Sequence, residues 1–376
     1  MSIFDDETPL SEDRRRADPG ATRRPLRQRI GGWALAVAAV IAVLFALLPS
    51  PYVIEQPGPI YDTLGVAERG NREIPLIEIP DEQTFPTDGE LNLLTVTVLG
   101  RPGRTPNWLE VLGAWFDQTR SAVPIEVFFP PGLSEADRDA QNEAMMVDSQ
   151  QDAIAAALVE LGYEFPREVT VADVVEGSPA EGLLDEGDVI AEVNGVPVHA
   201  VEELREAVRQ NGTDAPANLV VVRDGTEQTV AVTPVERGGA VVLGVGVRMR
   251  YEFPIDVTLQ LDDVGGPSAG MMFALGIVDK LTPGAMTGGE IIAGTGTIDS
   301  AGAVGPIGSI RQKLWGADGA GADWFLAPES NCDEVTGHVP DGLTVFAVSS
   351  LDEARSIVEA VGDGADLSGF ASCPAS

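Results

Sequence analysis

The sequence predicts an α/β body that carries a smaller β-rich module, the whole held behind one apolar helix. Three observations lead there. Apolar strands alternate with helical stretches near the start and the end of the body. Short strands with turn signals crowd into residues 166–236. A single uncharged run, 31–48, stands apart near the N-terminus.

A length of 376 residues leaves room for two or more domains, and 44% apolar with 6% aromatic residues is ordinary globular composition. The formal charge of −35 argues against a nucleic-acid-binding surface and is read chiefly as solubility.

Residues 1–30 hold seven Arg and six acids and are expected to form a disordered basic tail. The run 31–48, GGWALAVAAVIAVLFALL, carries no charge. At ~1.5 Å per residue it matches the ~30 Å hydrocarbon layer. Arg23, Arg24, Arg27 and Arg29 precede it, which puts the N-terminus in the cytoplasm and the body outside. A cleaved signal peptide competes with this reading; the long leading region and long apolar run favour a retained anchor. The stretch 49–65, rich in Pro and Gly, reads as an extended linker.

Residues 66–165 are expected to open the body. Leu91–Leu99 reads as a strand, Trp108–Thr119 and Arg138–Leu161 as helices. Ile154, Ala157, Leu158 and Leu161 recur at helical spacing and read as core. In 166–236, a strand at Thr170–Val175 precedes a helix at Val201–Arg209. Strands at Leu219–Arg223 and Gln228–Val232 then meet at Asp224-Gly225, a hairpin signal.

That module resembles a bacterial PDZ domain through Ser178-Pro179-Ala180, Leu183, Gly187-Asp188-Val189-Ile190 and Val193-Asn194-Gly195. The resemblance implies a groove where an extended peptide adds as a strand, here between 170–175 and 201–209. A carboxylate-holding loop would precede the strand, near Leu161-Gly162-Tyr163, where no typical loop is found. A module that only packs or gates is the alternative.

The region 237–365 carries the candidate chemistry. A strand at 257–261 leads to Asp262 and Asp263, then GGPSAG (265–270) and an apolar helix starting near Ser268. A serine at a helix start sits among free N–H groups that can hold an oxyanion. Gly265 and Gly266 would let a backbone approach. Taken alone, Ser268 also fits a plain helix cap. Only two lysines occur, Lys280 and Lys313, against 22 arginines. Arginine cannot release its proton near neutral pH, whereas a buried lysine can act as a base. Lys280 reads as incidental. Lys313 lies one turn into a helix starting near Ser309, with Ile310, Leu314 and Trp315 as its expected apolar wall. Strands at 323–327 and 344–348 and a helix capped at Ser350 close the domain; 366–376 is a tail.

GGPSAG followed by TGTIDSAGAVGPIGSIRQK (295–313) resembles the proteolytic domain of Lon proteases. The nearest form is the membrane-anchored, PDZ-bearing bacterial type without an ATPase. The resemblance implies Ser268 as nucleophile, Lys313 as general base and Thr295 as the residue that positions the lysine. Gly266, Pro267 and Ala269 flank the nucleophile in support. Gly265 stands where ATP-dependent members have an Asp, so that Asp's role is not carried over. Polypeptide substrates and a ring, expected to be a hexamer, follow from the same resemblance. The PDZ segment then reads as an insertion within the protease domain.

Neither lysine follows a glycine, so no Walker A motif is present and no ATP is expected. Cys332 and Cys373 fit no metal-ligand spacing but can pair outside the membrane; His199 and His338 stand alone. No metal or cofactor is expected. A catalytically silent PDZ scaffold that binds peptides is the rival, as is a hydrolase using His338.

Overall fold

The computed structural model describes residues 26–69, 72–261 and 264–374. The 1–30 tail falls mostly outside them, and Asp262 and Asp263 fall outside as well. In chain order, α1 (Leu26–Leu47) leads into β1 (Tyr52–Asp62), β2 (Glu90–Leu99) and α2 (Trp108–Trp115). Next come β3 (Ser121–Pro124), α3 (Ile125–Phe128) and the long α4 (Glu135–Glu160). The middle of the chain forms β4 (Arg167–Val174), β5 (Val189–Val193), α5 (Val201–Asn211), β6 (Ala217–Arg223), β7 (Thr226–Val232) and β8 (Val245–Tyr251). The remainder forms α6 (Gly270–Leu281), β9 (Ile291–Gly294), β10 (Thr297–Ile298), β11 (Val304–Gly305) and α7 (Ile310–Gly319). It closes with β12 (Trp324–Pro328), β13 (Thr344–Val348) and α8 (Leu351–Gly362).

The main sheet runs β13-β12-β9-β2-β1-β3. Its strands come from both sides of the segment that forms the second sheet, β7-β6-β5-β4-β8. β2, β9, β12 and β13 are mutually parallel, while β1 is antiparallel to β2 and β3. Strand residues alternate between two cores. Leu91, Leu93, Ile292, Leu326 and Phe346 pack with α4, α6 and α8 on one face. Leu94, Ala293, Phe325 and Val345 pack with Ile310 and Leu314 of α7 on the other. α6 is apolar nearly all round and accordingly buried on every side, from Met271 to Val278.

Three expectations are corrected. The segment 49–65 is no linker: β1 lies between β2 and β3, with Val53 and Ile54 buried. Pro59 falls where the β1–β2 register shifts, between Pro57 and Ile60, a place where a strand tolerates proline. The second sheet does not stop at 236, because β8 pairs along β4 from Val245–Val174 to Tyr251–Arg167. For the same reason 170–175 cannot accept an added strand: β4 is flanked by β5 and β8, and the free edge belongs to β8. Leu161-Gly162-Tyr163 ends α4, and the loop before β8 is Leu243-Gly244.

Several local signals appear as the sequence has them. Asp224 and Gly225 both take positive φ, 50° and 74°, as a tight hairpin requires. Ser350 accepts the amide of Glu353, although the Glu353 carboxylate takes the amide of Ser349, so the capping box is only half formed. Cys332 and Cys373 are joined in a disulfide. Among the described residues no helix is long and apolar enough to cross a membrane. The run 31–48 lies partly outside that description, which omits the side chains at 31, 32 and 34.

Candidate active site

Gly266 takes φ +89°, where a side chain would be strained, and no atom lies within 4 Å of where its Cβ would stand. Its amide donates to Asn142 O of α4 at 3.0 Å. One step on, Ser149 Oγ of α4 donates to Pro267 O at 2.9 Å. A Cβ on Gly265 would come 2.8 Å from Asn142 Cβ, so this glycine serves the approach of α4. The loop bearing Ser268 is thus pinned along one helix. α6 starts at Gly270, two residues later than expected, with Ala269 as an N-cap that makes no side-chain bond. Ser268 is therefore not the helix cap. Among the described residues no acceptor takes the amides of Ser268, Ala269 or Gly270, which leaves donors beside the hydroxyl for a developing oxyanion.

Thr295 follows the carboxyl end of β9. Its Oγ1 donates to Ser268 O at 3.0 Å, and Gly296 N donates to the same carbonyl at 3.0 Å. α7 brings Lys313 from the opposite layer. Lys313 Nζ lies 2.7 Å from Ser268 Oγ and donates to Thr295 Oγ1 at 2.8 Å. The site therefore forms at the end of β9, where the two layers meet across parallel strands.

Lys313 is 3% exposed. Burial away from water disfavours its ammonium form and lowers its pKa from 10.5 to about 7. Ile310 and Leu314 of its expected wall are fully buried, whereas Trp315 lines a separate cavity with Arg311 and His338. His338 Nδ1 faces Thr336 O at 3.1 Å and is no partner of Ser268. Lys280 stands apart from Ser268: its Nζ donates to Leu64 O at 3.1 Å, and burial lowers its pKa against the opposing pull of Asp62 and Asp279.

Sequence reasoning missed the residues that hold α7. Asn331 accepts from Ile307 N and donates to Ile307 O, both at 2.9 Å, and so clamps the Pro306-Ile307-Gly308 turn. Ser309 takes a left-handed φ of 58°, and its hydroxyl donates to the buried Glu55 of β1. Desolvation pushes the Glu55 carboxyl above its usual pKa. Ser149 likewise carried no sequence signal, because its partner is 118 residues away.

A second concavity, about 390 Å³, lies between the two sheets' domains. Val201, Glu202 and Arg205 of α5 and Val247, Met249 and Tyr251 of β8 line it on one side; Asp148 and Asp152 of α4 and the β10–β11 hairpin line it on the other. Tyr251 OH donates to Asp152 Oδ1 across it. Burial raises the Asp152 carboxyl to about 6.

Comparison with known proteins finds two families in the chain. Residues 139–233 match the PDZ domain family, and residues 250–360 match the Lon protease (S16) C-terminal proteolytic domain. Lon protease 2 of Herpetosiphon aurantiacus is 36% identical over 115 residues, 29% of this chain and 14% of that protein. Lon protease 1 of Bacillus subtilis is 35% identical over 107 residues, 28% and 14% respectively. The chain thus spans about one seventh of these relatives' length. A PDZ domain of an SdrC-like protein of Listeria innocua is 20% identical, covering 21% of this chain and 92% of that one at a TM-score of 0.20. The segment that matches the Lon proteolytic domain holds Ser268, Thr295 and Lys313.

Proposed function

We propose that the chain is an ATP-independent serine endopeptidase that cuts unfolded or flexible polypeptides on the outer side of a membrane, with Ser268 as nucleophile and Lys313 as general base. The observation that carries the reading is the 2.7 Å approach of a buried Nζ to Ser268 Oγ. Neutral Lys313 takes the Ser268 proton as Oγ bonds to the peptide carbonyl carbon. The oxyanion is held by the free amides near Ala269. Lys313 then gives that proton to the departing amine as the C–N bond breaks. Water repeats the cycle on the acyl-enzyme and regenerates Ser268. Thr295 holds Nζ on the hydroxyl side by accepting one of its hydrogens.

The free edge of β8 beside α5 suits an extended polypeptide, so the PDZ module engages or gates substrate there and not along β4. ATP independence is supported by the lack of a Walker A motif within these 376 residues. The anchor is supported by the uncharged run 31–48, by the arginines before it, and by the exposed flanks of α1 at Leu35, Val37, Val40 and Ile41. A disulfide fits an oxidising compartment. A homo-oligomeric ring belongs to the same reading.

Turnover of an unfolded protein without ATP tests the proposal, with the full chain in detergent and wild type beside Ser268→Ala and Lys313→Ala. Cleavage by wild type alone is expected. Equal cleavage by all three places the chemistry elsewhere, and none from folded wild type favours a peptide-binding scaffold.

A further inference from the structure

The end of α1 is fastened to the folded body. Trp108 N donates to Leu48 O at 3.3 Å, Ser50 N donates to Pro106 O at 2.9 Å, and Ile125 N donates to Pro51 O at 3.0 Å. The Phe45 and Trp108 rings meet edge to face at 6.5 Å, and Tyr52 touches both Trp108 and Trp115. Residues 48–51 thus tie α1, α2 and α3 into one corner.

That corner is apolar on its outside. α2 reads WLEVLGAW, with Glu110 its one charge. Val111 and Ala114 fill the inward face. An amphipathic helix would be polar opposite them, yet Leu109 and Leu112 are exposed there, Trp115 is exposed on the flank, and Phe116 just past the helix is 85% exposed. Leu48 and Val127 of α3 extend the surface at 52% and 64% exposure. A patch of this kind on a soluble face marks something that covers it.

We infer that α2 and α3 lie on the bilayer surface beside the anchor, seating the body flush on the membrane. The inference rests on the anchor reading of 31–48. Continuity with α1 names the occupant, because the patch begins at Leu48, where the apolar helix ends. Its composition fits as well: Trp favours the headgroup level of a bilayer, and a helix lying there sinks an apolar face of Trp, Phe and Leu about 5–10 Å. Glu110, Asp117 and Glu126 stand at the rim, so a zwitterionic surface suits it better than an anionic one. β1 leaves this corner directly for the main sheet, so the body has no slack with which to tumble.

The full chain in phosphatidylcholine vesicles tests this. A thiol-reactive environment-sensitive dye is placed at Gly113→Cys, Val40→Cys or Glu227→Cys. A Cβ at Gly113 meets no atom within 4 Å, so the patch stays intact. The dye at 113 is expected to lose about half its emission to lipids brominated near the glycerol end and less to lipids brominated deep in the chain. The dye at 40 should show the reverse order, and the dye at 227 should show neither. Quenching at 40 with none at 113 overturns the inference and leaves the anchor standing, with a second copy of the chain as the cover. Absence of quenching at both 40 and 113 removes the anchor reading, and the inference with it.

Discussion

Lys313 Nζ and Ser268 Oγ are 2.7 Å apart, although 45 residues separate them in the chain and the sheet lies between α7, which carries Lys313, and α6, which follows Ser268. Thr295 closes the triangle by accepting from Nζ and donating to Ser268 O. One hydroxyl thus sets the lysine's direction and the Ser268 backbone together.

Replacing Thr295 by Val keeps the volume and removes both bonds. Loss of an oriented bond to the lysine at roughly 1.5–3 kcal/mol lowers kcat about 10–100-fold with little change in KM. Thr295→Ser should retain most activity. Steady-state kinetics on a fluorogenic peptide check this, and an active Val variant would remove Thr295 from the site's ordering.

Asn331→Leu strips the Ile307 amide and carbonyl of their buried partners. Two orphaned groups cost roughly 2–4 kcal/mol together. The denaturation midpoint of the variant should fall, and turnover with it, because the turn that starts α7 loosens. An unchanged midpoint would show that the clamp is dispensable.

Val201→Trp fills the cleft between α5 and β8 without touching the Ser268 site. KM for a long unfolded substrate should rise about fivefold, while a short peptide that reaches only the active site is cut as before. If both substrates behave as in wild type, the cleft plays no part in substrate capture.

Much of the α/β pattern was legible because it is local. The Asp224-Gly225 hairpin, the Ser350 cap and the helix holding Lys313 each declare themselves within a few residues. GGPSAG and the scarcity of lysine pointed to Ser268 and Lys313. β1 was hidden because Pro and Gly mask a strand whose pairing is decided by β2 and β3 on either side. The free edge of the PDZ-like sheet was misplaced because β8 arrives after the module's recognisable motifs and covers β4. Ser149, Asn331 and Glu55 act on partners far along the chain, and no window of sequence brings those together.

The most direct test of the dyad is the pH dependence of Ser268 acylation by a fluorophosphonate probe. The folded pKa of Lys313, about 7, lies below its ordinary value of 10.5. Between these values the unfolded chain binds the extra proton, so this lysine makes folding more favourable as pH rises through that window. Acylation of wild type should climb about tenfold per pH unit below the folded pKa and level off above it. Ser268→Ala should not label. Lys313→Ala and Lys313→Arg should label slowly without the inflection, since Arg keeps its proton. A Lys313→Ala variant with the wild-type rate and the same inflection would contradict the account, because some other group would then be the base.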